Sequence, residues 1–120
     1  MKKHFLLLVT FLMMLSGNAS SAFIDGMEDI PLPDGMQQIT QDDLSFGNEE
    51  TRLLEAYLTS KKLSFKKIAA FYEESLPQLG WNYQGNRGNN LLFYREGETL
   101  EIVRESASPL VVRVTQKTKP

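Results

Sequence analysis

Residues 64–81 read SFKKIAAFYEESLPQLGW, and the reading of this stretch decides the fold. Ser64 has the chemistry of a helix N-cap, because its hydroxyl can accept a backbone N–H from the first turn. Leu63 before it and Ile68 at the fourth helical position have the spacing of a hydrophobic staple. Phe65, Ile68, Ala69, Tyr72, Leu76 and Leu79 then recur at steps of three and four, apart from the Ile68–Ala69 pair, drawing one apolar stripe. Lys66, Lys67, Ala70, Glu73 and Glu74 fall largely on the opposite side. Pro77 lies in or after the last turn, and Gly80 suits the left-handed residue that often ends a helix. Trp81, the only tryptophan, is expected to open the next strand as a core anchor, with ligand stacking as the alternative use of its ring.

A helix with one apolar stripe needs a surface to cover, and the residues after it supply one. Polar turns at 85–90, 97–98 and 106–109 divide Trp81–Gln84, Leu91–Glu96, Leu100–Glu105 and Leu110–Gln116 into an antiparallel meander. A two-residue turn at 97–98 predicts that Phe93 pairs with Ile102, and a longer loop at 105–109 predicts Ile102 opposite Val112. One face then carries Leu91, Phe93, Leu100, Ile102, Leu110, Val112 and Val114, the side a helix would cover. The other carries Leu92, Tyr94, Glu101, Val103, Val111 and Arg113, with Glu101 expected opposite Arg113. That second face is more apolar than a fully wetted face should be. Cover by the N-terminal arm, self-association and a separate partner each account for it.

Upstream, residues 43–58 read as two short strands around Gly47-Asn48, since Leu54, Ala56 and Leu58 alternate with Leu53, Glu55 and Tyr57. Helix is the competing reading for 49–58, on propensity. Residues 23–38 hold Pro31, Pro33 and the turn chemistry of Pro33-Asp34-Gly35. They are expected to form an extended arm docking through Ile30, Leu32 and Met36, or else a free linker. The expected fold class is α+β, an antiparallel sheet of about five to six strands with one amphipathic helix packed on one face.

The first 22 residues have the three parts of a secretory signal: Lys2 and Lys3, an apolar run from Phe5 to Leu15, and small residues ending at Ala22. The run is shorter than the ~20 residues of a spanning helix. Cleavage after Ala22 is expected, with cleavage after Ala19 and a retained leader as alternatives. The expected organisation is a leader at 1–22, an acidic arm at 23–42 and a single α+β domain at 43–120. The expected location is the periplasm or the extracellular space. The chain holds no cysteine, so neither a lipid-modified cysteine nor a disulfide is available to it.

Charge is uneven. Residues 23–59 hold nine acidic side chains against Arg52 alone, a balance of −8, and residues 60–120 hold ten basic against six acidic, a balance of +4. This argues against nucleic acid as a partner, which favours a concentrated basic surface. Lys61, Lys62, Lys66 and Lys67 form a basic cluster, two of them on the unfavourable end of the helix macrodipole. They are candidates for anionic lipid or an acidic partner, or they sit beside the chain's own acidic arm.

PLPDGM at 31–36, EAYLTS at 55–60, FYEESLPQLGW at 71–81 and FYREGETLEI at 93–102 together resemble a family of small exported alphaproteobacterial proteins of unknown function. In that family a Pro-Leu-Pro-x-Gly-Met arm precedes a helix ending Phe-Tyr-x-x-x-Leu-Pro-x-Leu-Gly-Trp. The resemblance covers most of residues 30–115 and implies a compact α+β domain outside the cytoplasm. It brings no catalytic or binding residue with it.

His4, within the leader, is the only histidine, so residues 23–120 lack both histidine and cysteine. Ser–His–Asp and Cys–His catalysis, and zinc sites built on imidazole or thiolate, are excluded from that portion. No glycine-rich loop precedes a helix, and GNRGNN at 85–90 reads as an ordinary hairpin loop rather than an anion nest. Asp42-Asp43 and Glu49-Glu50 are sequence neighbours in predicted turns and do not match a calcium loop. No cofactor is expected. The expected function is a non-enzymatic envelope module that contacts another protein or a second copy through Leu92, Tyr94, Val103 and Val111. Peripheral attachment to anionic lipid through the four lysines is the alternative, and a carboxylate-dependent hydrolase is the third reading.

Overall fold

A computed structural model describes residues 22–39, 45–47 and 52–118. Most of the leader, together with Asp42-Asp43 and Glu49-Glu50, lies outside the described residues. The elements run β1 (Phe23–Ile24), β2 (Met27–Pro31), β3 (Gln37–Ile39), β4 (Ser45–Gly47), β5 (Arg52–Ser60), α1 (Phe65–Ser75), a 3₁₀ turn (Leu76–Leu79), β6 (Asn82–Asn86), β7 (Asn90–Arg95), β8 (Glu98–Ala107) and β9 (Leu110–Thr118). The molecule is α+β. One antiparallel sheet is ordered β3-β5-β9-β8-β7-β6, with β4 also pairing β5, and β1 and β2 form a separate two-stranded ribbon.

The helix forms for the reasons its sequence gives. Ser64 is in extended conformation and its hydroxyl accepts from Lys67 N–H, while Ile68, Ala69 and Tyr72 are buried. After the 3₁₀ turn, Gly80 adopts φ 93°, and its N–H and that of Trp81 return to the carbonyls of Pro77 and Leu76. Trp81 is 1% exposed, a core anchor. Leu79, by contrast, lies beyond the buried part of the stripe and is largely exposed.

The meander register differs from the expected one. Phe93 pairs with Leu100 and Leu91 with Ile102, because the hairpin turns at Glu96-Gly97 rather than at 97–98. Both turn residues have positive φ, 22° and 79°. A turn of that hand favours glycine at its second central position, which puts Glu96 first. On the other side Ile102 pairs with Val114, not Val112. There the strands run on to Ala107 and Leu110, and a bulge between Arg104 and Ser106 takes up one residue. Both corrections are even-numbered, so no side chain changes face. Leu91, Phe93, Leu100, Ile102, Leu110, Val112 and Val114 are all buried.

Residues 23–39 join the same core. Ile24, Met27, Ile30 and Met36 pack with the helix and with the inner sheet face in one cluster, and Leu32 packs against it. The buried Tyr72 hydroxyl donates to Pro31 O at 2.7 Å, tying ribbon to helix. Residues 23–36 therefore lie on the helix side of the sheet, and residues 37–39 join its edge as β3. Among the described residues none of this segment covers the second face.

Candidate interaction surfaces

The second face is a mixed surface built by alternation. Leu92 and Tyr94 project from β7 and are 38% and 48% exposed, whereas Val103 on β8 and Val111 on β9 are half-buried. The register sets Leu92 opposite Glu101 and Tyr94 opposite Thr99, with Val103 opposite both Asn90 and Arg113. Val111 stands opposite Thr59 and Ser106. The four apolar residues are thus brought to one face but not into one patch.

An ionic cluster crosses that face. Arg113 Nε donates to Glu105 Oε1 at 2.8 Å, and its Nη1 lies 4.0 Å from Glu101 Oε1 and donates to Thr115 Oγ1 at 3.0 Å. Glu101 is diagonal to Arg113, not opposite it as expected, since Thr115 and Val103 take the facing positions. Glu105 is the residue that the bulge inserts, and it has no strand partner. The Glu105 hydrogen bond, with the fields of Glu101 and Glu55, holds the Arg113 guanidinium above its ordinary range despite partial burial. Tyr57, opposite Arg113, has its phenol pushed up by desolvation and then by Glu55 and Glu105, with Arg113 opposing.

Lys61, Lys62, Lys66 and Lys67 are all exposed, at the β5–α1 connection and in the first helical turn. Among the described residues no carboxylate lies within ion-pair distance of any of them. Of the acidic arm beside which these lysines are expected to sit, Asp42 and Asp43 lie outside the described residues. Asp29 pairs with Arg95, and the Asp25 turn is held through its main chain, where Gln38 both accepts from Asp25 N–H and donates to Asp25 O.

A third constellation was not singled out in the sequence. Arg95 lies over the Trp81 ring, 4.1 Å from its centroid, and donates to Glu98 Oε2 at 2.8 Å, to Leu79 O at 3.0 Å and to Asp29. Gln116 in turn donates to Glu98 Oε1 at 3.0 Å. Burial works against the Arg95 charge, but Glu98 and Asp29 more than offset it and hold the guanidinium above its ordinary range. Arg95 and Glu98 straddle the REGE turn, so half of this cluster had a local clue. Asp29, 66 residues away, had none. Each of the three guanidinium nitrogens makes one of these bonds, so the cluster reads as a clamp on the fold.

Among the described residues no helix is long and apolar enough to cross a membrane, and no three His, Cys, Asp or Glu side chains gather as metal ligands. Comparison with protein families, with curated proteins and with solved structures returns no match.

Proposed function

We propose that this chain is an exported, non-catalytic module that works by protein–protein contact through the outer sheet face. The observation that carries the reading is that helix and N-terminal ribbon both pack on the inner face. Among the described residues nothing covers the outer one, where Leu92 and Tyr94 stand exposed. Single exposed apolar side chains are ordinary on any protein, but two on one strand of an uncovered sheet are not isolated. The face also carries both signs of charge, Arg113 and Lys117 beside Glu55, Glu101 and Glu105. A two-fold pair of copies can match such a surface to itself.

The test is light scattering coupled to size exclusion over a concentration series of the full chain, compared with Leu92→Lys/Tyr94→Lys. These two positions are suited to it because both side chains are exposed, so the variant keeps its core. A concentration-dependent dimer that becomes monomeric in the variant supports the reading. Identical behaviour of both proteins, with no chemical cross-link passing through β7, overturns it for self-association.

A further inference from the structure

We infer that the end of the molecule formed by the β5–α1 connection, the β6–β7 loop and the end of β8 is a docking surface for anionic lipid. The topology gathers there basic residues that are far apart in sequence. Ser60 at the end of β5 pairs with Leu110, and Leu110 pairs with Ala107 at the end of β8. Arg104 N–H donates to Asn89 O, so the β6–β7 loop closes against the same end. Helix α1 begins there and runs to the opposite end, where Leu79 O meets Arg95.

Six cations share this end: Lys61, Lys62, Lys66, Lys67, Arg87 and Arg104. All but the half-buried Arg104 are exposed, and none is within ion-pair distance of a described carboxylate. Arg95 and Arg113, by contrast, are ion-paired with carboxylates elsewhere. The connections 61–64, 87–89 and 106–109 hold no acidic residue. Among the described residues Glu105 is paired with Arg113, and the exposed Asp34, next to the Gly35 that faces Leu63, borders the end. The positive pole of the helix dipole adds to the same sign.

Lipid is the partner that fits. The cations are spread over separate turns, and the exposed residues between them are small: Gly88, Asn89, Ala107, Ser108 and Pro109. Recognition of an acidic peptide uses clustered arginines whose forks pair with carboxylates, whereas a planar array of head groups needs only dispersed positive charge, and four of these six cations are lysines. The chain's own path points the same way. Ala22, which follows the apolar leader run, enters the fold where its carbonyl accepts from Leu32 N–H at 2.9 Å. That is next to the Pro33–Met36 turn, whose Gly35 faces the Leu63 side chain between Lys62 and α1. Membrane attachment generally combines an apolar element with a basic cluster.

The experiment is vesicle co-sedimentation of the full chain on phosphatidylcholine alone and on vesicles containing about one third phosphatidylglycerol. The readout is the difference between the two, which removes any contribution of the leader run. Wild type should prefer the anionic vesicles at low salt and lose the preference as salt screens it. Lys61→Gln/Lys62→Gln/Lys66→Gln/Lys67→Gln should lower the anionic partition more than a hundredfold, and Arg87→Gln alone about fivefold, each with unchanged circular dichroism. Equal partition of wild type onto both vesicles overturns the inference, as does a quadruple variant that still prefers phosphatidylglycerol. An Arg87→Gln protein that matches wild type overturns the assembled surface. Polyglutamate that displaces the chain from the vesicles at equal charge concentration overturns the choice of lipid.

Discussion

The Arg95 guanidinium carbon lies 4.1 Å from the centroid of the Trp81 ring, and the same group reaches the last carbonyl of the 3₁₀ turn. With Asp29 and Glu98 as its ion-pair partners, one side chain joins the ribbon, the helix end and the β7–β8 hairpin. The Arg95 side chain is 22% exposed and Asp29 43%, so the Asp29 pair is partly screened. Arg95→Ala should therefore cost about 2–3 kcal/mol, from charged hydrogen bonds and the cation–π contact. Arg95→Lys should recover less than half of this, because an ammonium cannot serve three fixed directions while lying flat on an indole. Urea denaturation measures both. A lysine variant as stable as wild type would show that charge, not the planar fork, holds the end of the helix.

Much of this fold was legible because its strands and helix obey simple periods. Ser64, the Ile68–Leu76 stripe and Gly80 each state a local rule, and the helix follows them. The faces of β7, β8 and β9 were legible even though the pairing was displaced, since the even offset preserved alternation. The offset itself arose at Glu96, a non-glycine residue with positive φ that composition does not flag. The N-terminal segment was less legible, because Ile24, Met27 and Ile30 follow no period that separates a docked ribbon from a free arm. Of the candidate surfaces, Leu92, Tyr94 and the lysines could be located, but Arg87 and Arg104 join those lysines only through strand order.

Tyr72 makes stability depend on alkaline pH. Its hydroxyl is buried against Pro31 O, and burial pushes its ionisation above the ordinary tyrosine value of 10.0. A group whose folded pKa is raised holds its proton more tightly when folded, so its contribution is complete below 10.0 and is lost above it. Stability should fall by about 1.4 kcal/mol for each pH unit above that point from this residue alone. Tyr72→Phe should cost about 1–2 kcal/mol at neutral pH through the unpaired carbonyl, and should remove that part of the alkaline slope. Urea midpoints at neutral pH and above pH ~10 check the sign, since an unchanged slope in the phenylalanine variant assigns it elsewhere.

Two serines four residues apart test which cap governs the β5–α1 connection. Ser64 Oγ accepts from Lys67 N–H at 3.4 Å, whereas the buried Ser60 Oγ accepts from both Lys62 N–H and Leu63 N–H at 3.0 Å. Ser60→Ala leaves two partly buried donors without that partner and should cost about 2 kcal/mol. Ser64→Ala removes one long, exposed bond and should cost about 0.5–1 kcal/mol. Thermal or urea unfolding orders the two, and a larger loss at Ser64 would mean that the helix cap rather than the connection sets the geometry.

Arg113 separates three carboxylates on the outer face, and its removal should expose their repulsion. Glu105 and Glu101 flank it directly, and Glu55 acts on it from β5. The Arg113 side chain is 25% exposed, but Glu101 and Glu105 are 40% and 41% exposed, so each pair alone is weak. Arg113→Gln loses both attractions and leaves Glu105 and Glu101 facing without a counter-charge, for a net cost of about 1 kcal/mol at low salt. Because the deficit is electrostatic and near the surface, it should shrink as salt rises toward physiological strength. Val103→Lys sets a second cation directly opposite Arg113, and like charges in that position are destabilising. It should lower stability with the same salt dependence, so an association assay that uses it would confuse unfolding with a broken interface. Urea midpoints for both variants at low and high salt decide this, and a deficit independent of salt would assign the loss to packing against Val103 and Val111.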